Sequence, residues 1–164
     1  MYLFPTKALA QDQLRALNGL IKHLHSVDAS EVGVYDGDTS YPERTRLRKQ
    51  ARLLITNPDM LHCSILPHHK TMHRILCHLQ YVVIDEAHAY CGAFGCHAAI
   101  IFRRLRRICE CVYGIAPTFV VSSATMSSPK ELAFNLVGLK DFVEVTECFV
   151  CTSCMLCSLY AQRF

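Results

Sequence analysis

No stretch of this chain approaches the roughly 18 consecutive apolar residues that a membrane-spanning helix requires. The opening residues do not make a signal peptide either. Met1-Tyr2-Leu3-Phe4 runs straight into Pro5, Thr6 and Lys7, well short of the roughly 7–15 apolar residues of a secretory core. Internal repeats and low-complexity linkers are also missing, which excludes a solenoid or a string of tethered modules. Charge is scarce, at 19% of residues with a net charge of +3. That balance permits contact with nucleic acid without announcing it. The expectation is a soluble, intracellular chain.

What is present belongs to a folded protein. The sequence is 51% hydrophobic, which excludes a disordered chain. Its 164 residues suffice for one domain with a real core but not for two large ones. Ten cysteines without a secretion signal read as free thiols rather than a disulfide framework. Cys63, Cys77, Cys91, Cys96, Cys109 and Cys111 lie in apolar segments and are expected to be small core residues.

Short β-branched runs alternate with amphipathic stretches. Strands are expected at Tyr2–Phe4, Val32–Tyr35, Leu53–Thr56, Tyr81–Asp85, Phe119–Ser122 and, more weakly, Phe142–Val145. The runs "LLIT", "YVVID" and "FVVSS" do not alternate apolar with polar, as befits strands covered by helices on both faces. Helices are expected over Lys7–His25, Glu43–Ala51, His97–Cys111 and Pro129–Leu136, the last with Ser128 placed to cap and Pro129 in the first turn. Strand, helix, strand, helix implies an α/β fold with a mostly parallel sheet flanked by helices.

In such sheets the chemistry sits at the carboxyl ends of the strands. Four of these ends carry polar residues: Pro5-Thr6-Lys7, Thr56-Asn57-Pro58-Asp59, Asp85-Glu86-Ala87-His88 and Ser122-Ser123-Ala124-Thr125. Neighbouring acids at a strand end point in different directions and can do different work. One can hold a hydrated Mg²⁺ through its waters, and the other can orient a water attacking phosphorus. A solvated acidic cap on the next helix is the plainer alternative.

The order of these segments points further. "IDEAH" after an apolar strand, with "SSATM" about thirty-five residues later after another, resembles motifs II and III of the DEAH-box superfamily-two helicases. "PTKALAQDQ" resembles their motif Ia, "TNPDML" their motif Ib, and "GDT" with Glu43-Arg44 the segment between. "AYCGAFGCHAAIIFRRLRRIC" most resembles the YprA-like branch, whose other members carry a C-terminal cysteine-rich zinc domain. The resemblance covers residues 1–146. It implies a partial RecA-like motor domain that uses ATP and Mg²⁺ and moves on nucleic acid, with DNA the expectation for this branch. It also implies Asp85 as the Mg²⁺-associated acid, Glu86 as the residue activating water, and His88, Ser123, Ala124 and Thr125 as the coupling to movement. Pro5, Thr6, Lys7, Gly37, Asp38, Thr39, Thr56, Asn57, Pro58 and Asp59 would face the nucleic-acid strand. Backbone amides at helix starts suit that role, because they hold phosphates without reading sequence.

One part of such a motor is missing. No G-x-x-x-x-G-K-[ST] loop occurs in the sequence, and without its lysine and amide cradle the main charge stabilisation of phosphoryl transfer is gone. In the family that loop lies upstream of the "PTKALA" segment and a second motor domain lies downstream, so the chain reads as truncated at both ends. It is expected to be inactive in ATP hydrolysis alone. A non-catalytic module that binds nucleic acid or a partner is the alternative.

Residues 147–164 stand apart as a cysteine-rich tail unlike the family pattern, read as an alternative or misread terminus such as retained intron sequence. That points to a eukaryotic, nuclear protein. Cys148, Cys151, Cys154 and Cys157 have C-x₂-C spacing that invites zinc, the basis of a third reading as a small zinc protein. Four thiolates within ten residues make a cramped site. The arginines of "FRRLRR" (Arg103, Arg104, Arg106, Arg107) read as a solvated helix face, and His62, Cys63, His68, His69 and His73 as a surface loop.

Overall fold

Both faces of each unbroken apolar strand need a cover, and the fold supplies one. The computed structural model describes residues 1–21, 28–123, 128–145 and 158–162. Strands β1 (Tyr2–Leu3), β2 (Val32–Val34), β3 (Leu53–Thr56), β4 (Tyr81–Ile84), β5 (Thr118–Ser123), β6 (Phe142–Val145) and β7 (Ser158–Gln162) form one sheet, in the order β2-β3-β1-β4-β5-β7-β6. From β2 to β5 every pairing is parallel. The flanking helices are α1 (Lys7–Ile21), α2 (Tyr41–Gln50), α3 (Pro58–Met60), α4 (His73–Leu76), α5 (Gly92–Tyr113) and α6 (Pro129–Val137).

Successive residues of a strand point to opposite sides, and in β3 both Leu54 and Ile55 are buried. Leu54 joins a cluster with Leu47, Leu76, Phe102 and Leu105, whereas Ile55 joins Phe4, Ala10, Val32 and Val34 beside α1. Helix α5 supplies Ala98, Ile101, Phe102, Leu105 and Cys109 to the larger cluster and ends at Gly114, whose φ of 67° favours a residue without Cβ.

The expected strands and helices are present, with shifted ends. Helix α1 is described to Ile21, and residues 22–25 lie outside the described residues. Helix α5 begins at Gly92 rather than His97, because Gly92 and Gly95 weaken the helical signal that local propensity gives. Gly95 is there for space: a Cβ would meet the Tyr90 carbonyl oxygen at 2.4 Å. Of the six cysteines expected in the core, only Cys109 is buried; Cys77 is half-buried and Cys63, Cys91, Cys96 and Cys111 are exposed. Apolar neighbours in sequence did not make them core, since helical periodicity turns them outward.

The histidine segment is part helix and part turn, with His68 and His69 in turns over residues 66–72 as a loop would place them. Helix α3 continues into a π-type turn over Leu61–Ile65, and His73 opens α4. No group of three or more His, Cys, Asp or Glu side chains among the described residues could hold a metal ion. The expected solvated face of α5 holds for three of its four arginines: Arg103, Arg104 and Arg107 are exposed and Arg106 is half-buried. Arg103 donates to the Asn135 carbonyl at 2.8 Å and Arg106 to those of Val137 and Gly138 at 3.1 and 3.0 Å. These two arginines cap the C-terminus of α6, where carbonyls lack helical partners. Residues 158–162 of the tail form β7, where the sequence offered no strand; Cys148, Cys151, Cys154 and Cys157 lie outside the described residues.

Candidate functional site

Register, not sequence proximity, assembles the polar strand ends. Leu3 is level with Thr56 and Ile84, Val34 with Ile55, and Ile84 with Val121. One step further along, Asp36, Asn57, Phe4, Asp85 and Ser122 fall in one row at the carboxyl edge. Two clusters of contacts form along it, at the ends of β2 and β4. With strands about 4.8 Å apart, the three spacings between them put these clusters about 14 Å from each other.

At the end of β4, Asp85 Oδ1 accepts from the Glu86 amide at 2.9 Å and from the Ser122 hydroxyl. Both bonds fall on Oδ1, so Oδ2 has no hydrogen-bond partner among the described residues. Glu86 has φ 50° and ψ 44°, the left-handed region that residues with a Cβ seldom enter. That turn swings its carboxylate away from Asp85 and toward His88, whose Nδ1 lies 3.2 Å from Glu86 Oε2. Strain of this kind costs about 1–3 kcal/mol and gathers at functional sites.

Beneath this turn two hydroxyls are buried without partners among the described residues, those of Tyr90 and Ser123. Tyr90 is 1% exposed and Ser123 3%. Burial, with the Asp85 charge added, pushes the Tyr90 phenol well above its ordinary value, so it stays neutral and able to donate. Orphaned buried hydroxyls are uncommon in folded proteins and call for an explanation.

At the end of β2 the aspartate is held by several bonds. Asp36, 3% exposed, accepts from the Thr39 hydroxyl, the Thr39 amide and the Asp38 amide, each at 2.9 Å. Burial alone would raise its carboxyl, but these bonds and one from Gln11 outweigh it and hold the group below the usual carboxylate range. Arg44 closes the turn from outside, donating to the Thr39 and Asp36 carbonyls at 2.9 and 2.8 Å and to that of Gly37 at 3.2 Å. Asp38 is left at the surface, where it meets Lys7 Nζ at 3.0 Å. The hydrogen bond to Asp38, and its charge, raise the Lys7 ammonium above its ordinary value.

The remaining expected site residues divide by exposure. Thr6 and Lys7 are exposed and Pro5 half-buried at the start of α1, where the Thr6 hydroxyl accepts from the Leu9 amide at 3.4 Å. Gly37, Asp38 and Asp59 are exposed. Thr56, Asn57 and Pro58 are buried: the Thr56 hydroxyl donates to the Tyr35 carbonyl at 2.7 Å, and the Asn57 side chain caps α3 by accepting from the Met60 amide at 2.9 Å. These residues shape the edge rather than reach out from it. Ala124 and Thr125 lie outside the described residues.

Sequence reasoning passed over Asp36 and Tyr90, and gave Arg44 and Ser122 only as parts of polar segments without a role of their own. Ser122 had a usable signal, because it stands one residue past the apolar run of β5 as Asp85 does past that of β4. Asp36 immediately precedes Gly37 at another strand end. Nothing local singles out Tyr90.

This arrangement has known counterparts. Residues 1–132 match the family model described as DEAD/DEAH box helicase. The chain is 51% identical over 138 residues to the uncharacterized ATP-dependent helicase YprA of Bacillus subtilis, covering 84% of this chain and 18% of that protein. It is 45% identical over 148 residues to the ATP-dependent helicase HRQ1 of Saccharomyces cerevisiae, covering 90% of this chain and 14% of that one. The crystal structure of the DUF1998 helicase MrfA bound to DNA and AMPPNP superposes with a TM-score of 0.78 at 50% identity, over 84% of this chain and 19% of MrfA. The chain thus spans less than a fifth of the length of each of these relatives. With its helicase motifs carried at the strand ends of a largely parallel sheet, the chain belongs to the DEAD/DEAH box helicase family.

Proposed function

We propose that residues 1–146 form part of the first motor domain of an ATP-driven DNA helicase, with Asp85 and Glu86 serving the terminal phosphate of the nucleotide. The observation that carries this reading is the division of labour at the end of β4. Asp85 is pinned through Oδ1 by Ser122 and the Glu86 amide, and Glu86 is held apart in a left-handed turn against His88.

The residues suit Mg²⁺ held largely through water. That ion keeps several waters and takes one or two carboxylates plus substrate phosphates rather than an all-protein cage. Asp85 offers the half-exposed carboxylate with Oδ2 available, and no cluster of three ligands competes for it among the described residues. When bound, the ion would neutralise charge on the transferring phosphoryl group. Glu86 would orient the attacking water and accept its proton, and His88 would steady that carboxylate. Ser122, through Asp85, ties β5 to the nucleotide, which supports a coupling role for the Ser122–Thr125 segment.

Nucleic acid would lie along the Thr6-Lys7, Gly37–Thr39 and Asp59 end of the edge. The exposed Lys7 and the amides opening α1 favour phosphate there. Arg44, by fixing the 36–39 turn, would set the shape of that surface.

The test joins Met1 to the segment of the Bacillus subtilis relative upstream of the matching region, where the family resemblance places the phosphate loop, and measures ATP hydrolysis with and without single-stranded DNA or RNA. Stimulated turnover is expected, falling about 100-fold or more in Glu86→Gln. Turnover that survives this change would remove Glu86 from the chemistry. Stimulation by RNA alone would overturn the choice of DNA. Binding of nucleic acid without any turnover would favour the non-catalytic module.

A further inference from the structure

The sheet contains one strand that runs the wrong way. Strands β1 to β5 are mutually parallel. β6 is parallel to β5, because each is antiparallel to the β7 that lies between them. The register is continuous across all three, with Val120 level with Ala161 and Ala161 with Val143. The unit β5–α6–β6 is therefore a parallel strand–helix–strand crossover that skips one position. The gap is two strand spacings wide, about 10 Å, which is room for one strand.

Three observations say what the gap suits. First, a strand feeding a phosphate loop must run parallel to β5, so that its carboxyl end and the helix start that follows reach the edge holding Asp85 and Ser122. β7 does the reverse: Ser158, its first residue, is level with Ser123, and Gln162 lies toward the far edge. Second, this is the near position. A strand in the gap lies about 10 Å from β4, whereas one added outside β2 lies about 19 Å from it. A nucleotide's terminal phosphate could be shared with Asp85 only from the first. Third, the Ser123 hydroxyl, 3% exposed and without a partner among the described residues, sits on β5 at the mouth of the gap.

We propose that β7 is an exchangeable plug, occupying in the antiparallel sense a slot into which a parallel strand carrying a phosphate-binding loop would otherwise dock. The nucleotide part of this inference rests on the function proposed above; the strand exchange rests on the sheet alone. With β7 seated, the backbone of β5 is paired on both sides instead of standing as an open edge. The same pairing keeps the phosphate grip away from Asp85. A chain with β7 in place is stable and silent, and one that releases β7 can accept the loop.

The experiment uses the 164-residue chain, a variant ending at Val145, and a full-length Tyr160→Pro variant. Proline in β7 removes a ladder donor without shortening the chain. The probe is a fluorescein-labelled strand–loop–helix segment from upstream of the matching region of the Bacillus subtilis relative, followed by anisotropy. Both variants are expected to bind the probe about tenfold or more tightly than the full chain, because a plugged state lowers the competent fraction. Amide exchange at Val120–Ser123 should be fast in the variants and slow again once the probe is bound.

Equal binding by all three chains would overturn the plug. So would failure of a variant to bind while its β1–β4 amides remain protected. If both variants lose that protection, the proposal is decided on the full chain, where bound probe must speed exchange at residues 158–162; unchanged exchange overturns it. Docking of the probe without binding of a fluorescent ATP analogue and Mg²⁺ would leave the plug standing and remove the proposed nucleotide role.

Discussion

The ends of β2 and β4 are two solutions to the same local problem, an aspartate just past an apolar parallel strand. At β2, Asp36 is buried, three bonds from Thr39 and Asp38 satisfy it, and Arg44 seals the turn. At β4, among the described residues, Asp85 keeps one oxygen without a partner and the Tyr90 and Ser123 hydroxyls are orphaned nearby, while Glu86 is strained. A group with all its bonds made is a structural element. A group held in place with bonds unmade is poised for something that arrives later. The same residue type is thus fully bonded at one strand and only partly bonded at another, and only the surroundings distinguish them.

The contrast predicts opposite responses to deletion. Asp36→Ala leaves the Thr39 and Asp38 amides without this acceptor and should lower the urea-unfolding free energy of the 164-residue chain by about 2–3 kcal/mol. A loss under 1 kcal/mol would mean the turn is not the scaffold described here. At the β4 end, Gly95→Ala drives a Cβ to 2.4 Å from the Tyr90 carbonyl. Backbone cannot rotate away as a side chain can, so about 2 kcal/mol of stability should be lost through overpacking. Denaturant midpoints unchanged by this substitution would show that the Tyr90 turn yields easily.

Acid sharpens the comparison next. The Asp36 carboxyl is depressed in the folded state, so its contribution is fully present above the ordinary carboxylate value of about 4 and is lost as pH falls through the lower folded value. Stability should therefore drop on acidification below about pH 4, and Asp36→Asn should flatten that drop. An identical acid limb in the variant would assign it to other carboxylates. The smallest effect belongs to Ser123→Ala, which removes an orphaned hydroxyl and should be neutral or stabilising by up to about 1 kcal/mol. Destabilisation would mean the hydroxyl has a partner in solution.

Much of this was legible beforehand, for particular reasons. "LLIT" and "YVVI" are strands because unbroken apolar runs fit only a sheet covered on both faces, and Leu54 and Ile55 duly enter opposite cores. Asp85, Glu86 and His88 were legible because a motif lies within a few residues of chain. Ser122 as the partner of Asp85 was not, since the two are thirty-seven residues apart and meet only because β4 and β5 are neighbours. The start of α5 was hidden by Gly92 and Gly95, whose value lies in backbone geometry rather than helix propensity. The exposed cysteines misled because apolar neighbours in sequence are not neighbours in space.

By itself the sequence determined the alternation of elements, the polar strand ends and the motif order that identifies the family, all of which are local patterns. Tertiary structure decided the strand order that joins Ser122 to Asp85, the distance that separates Asp36 from both, and the reversed strand between β5 and β6. The physical reason is common to all three. Strands pair through backbone hydrogen bonds that every residue except proline can make in full, so which strand lies beside which, and in which direction, follows from packing the whole chain.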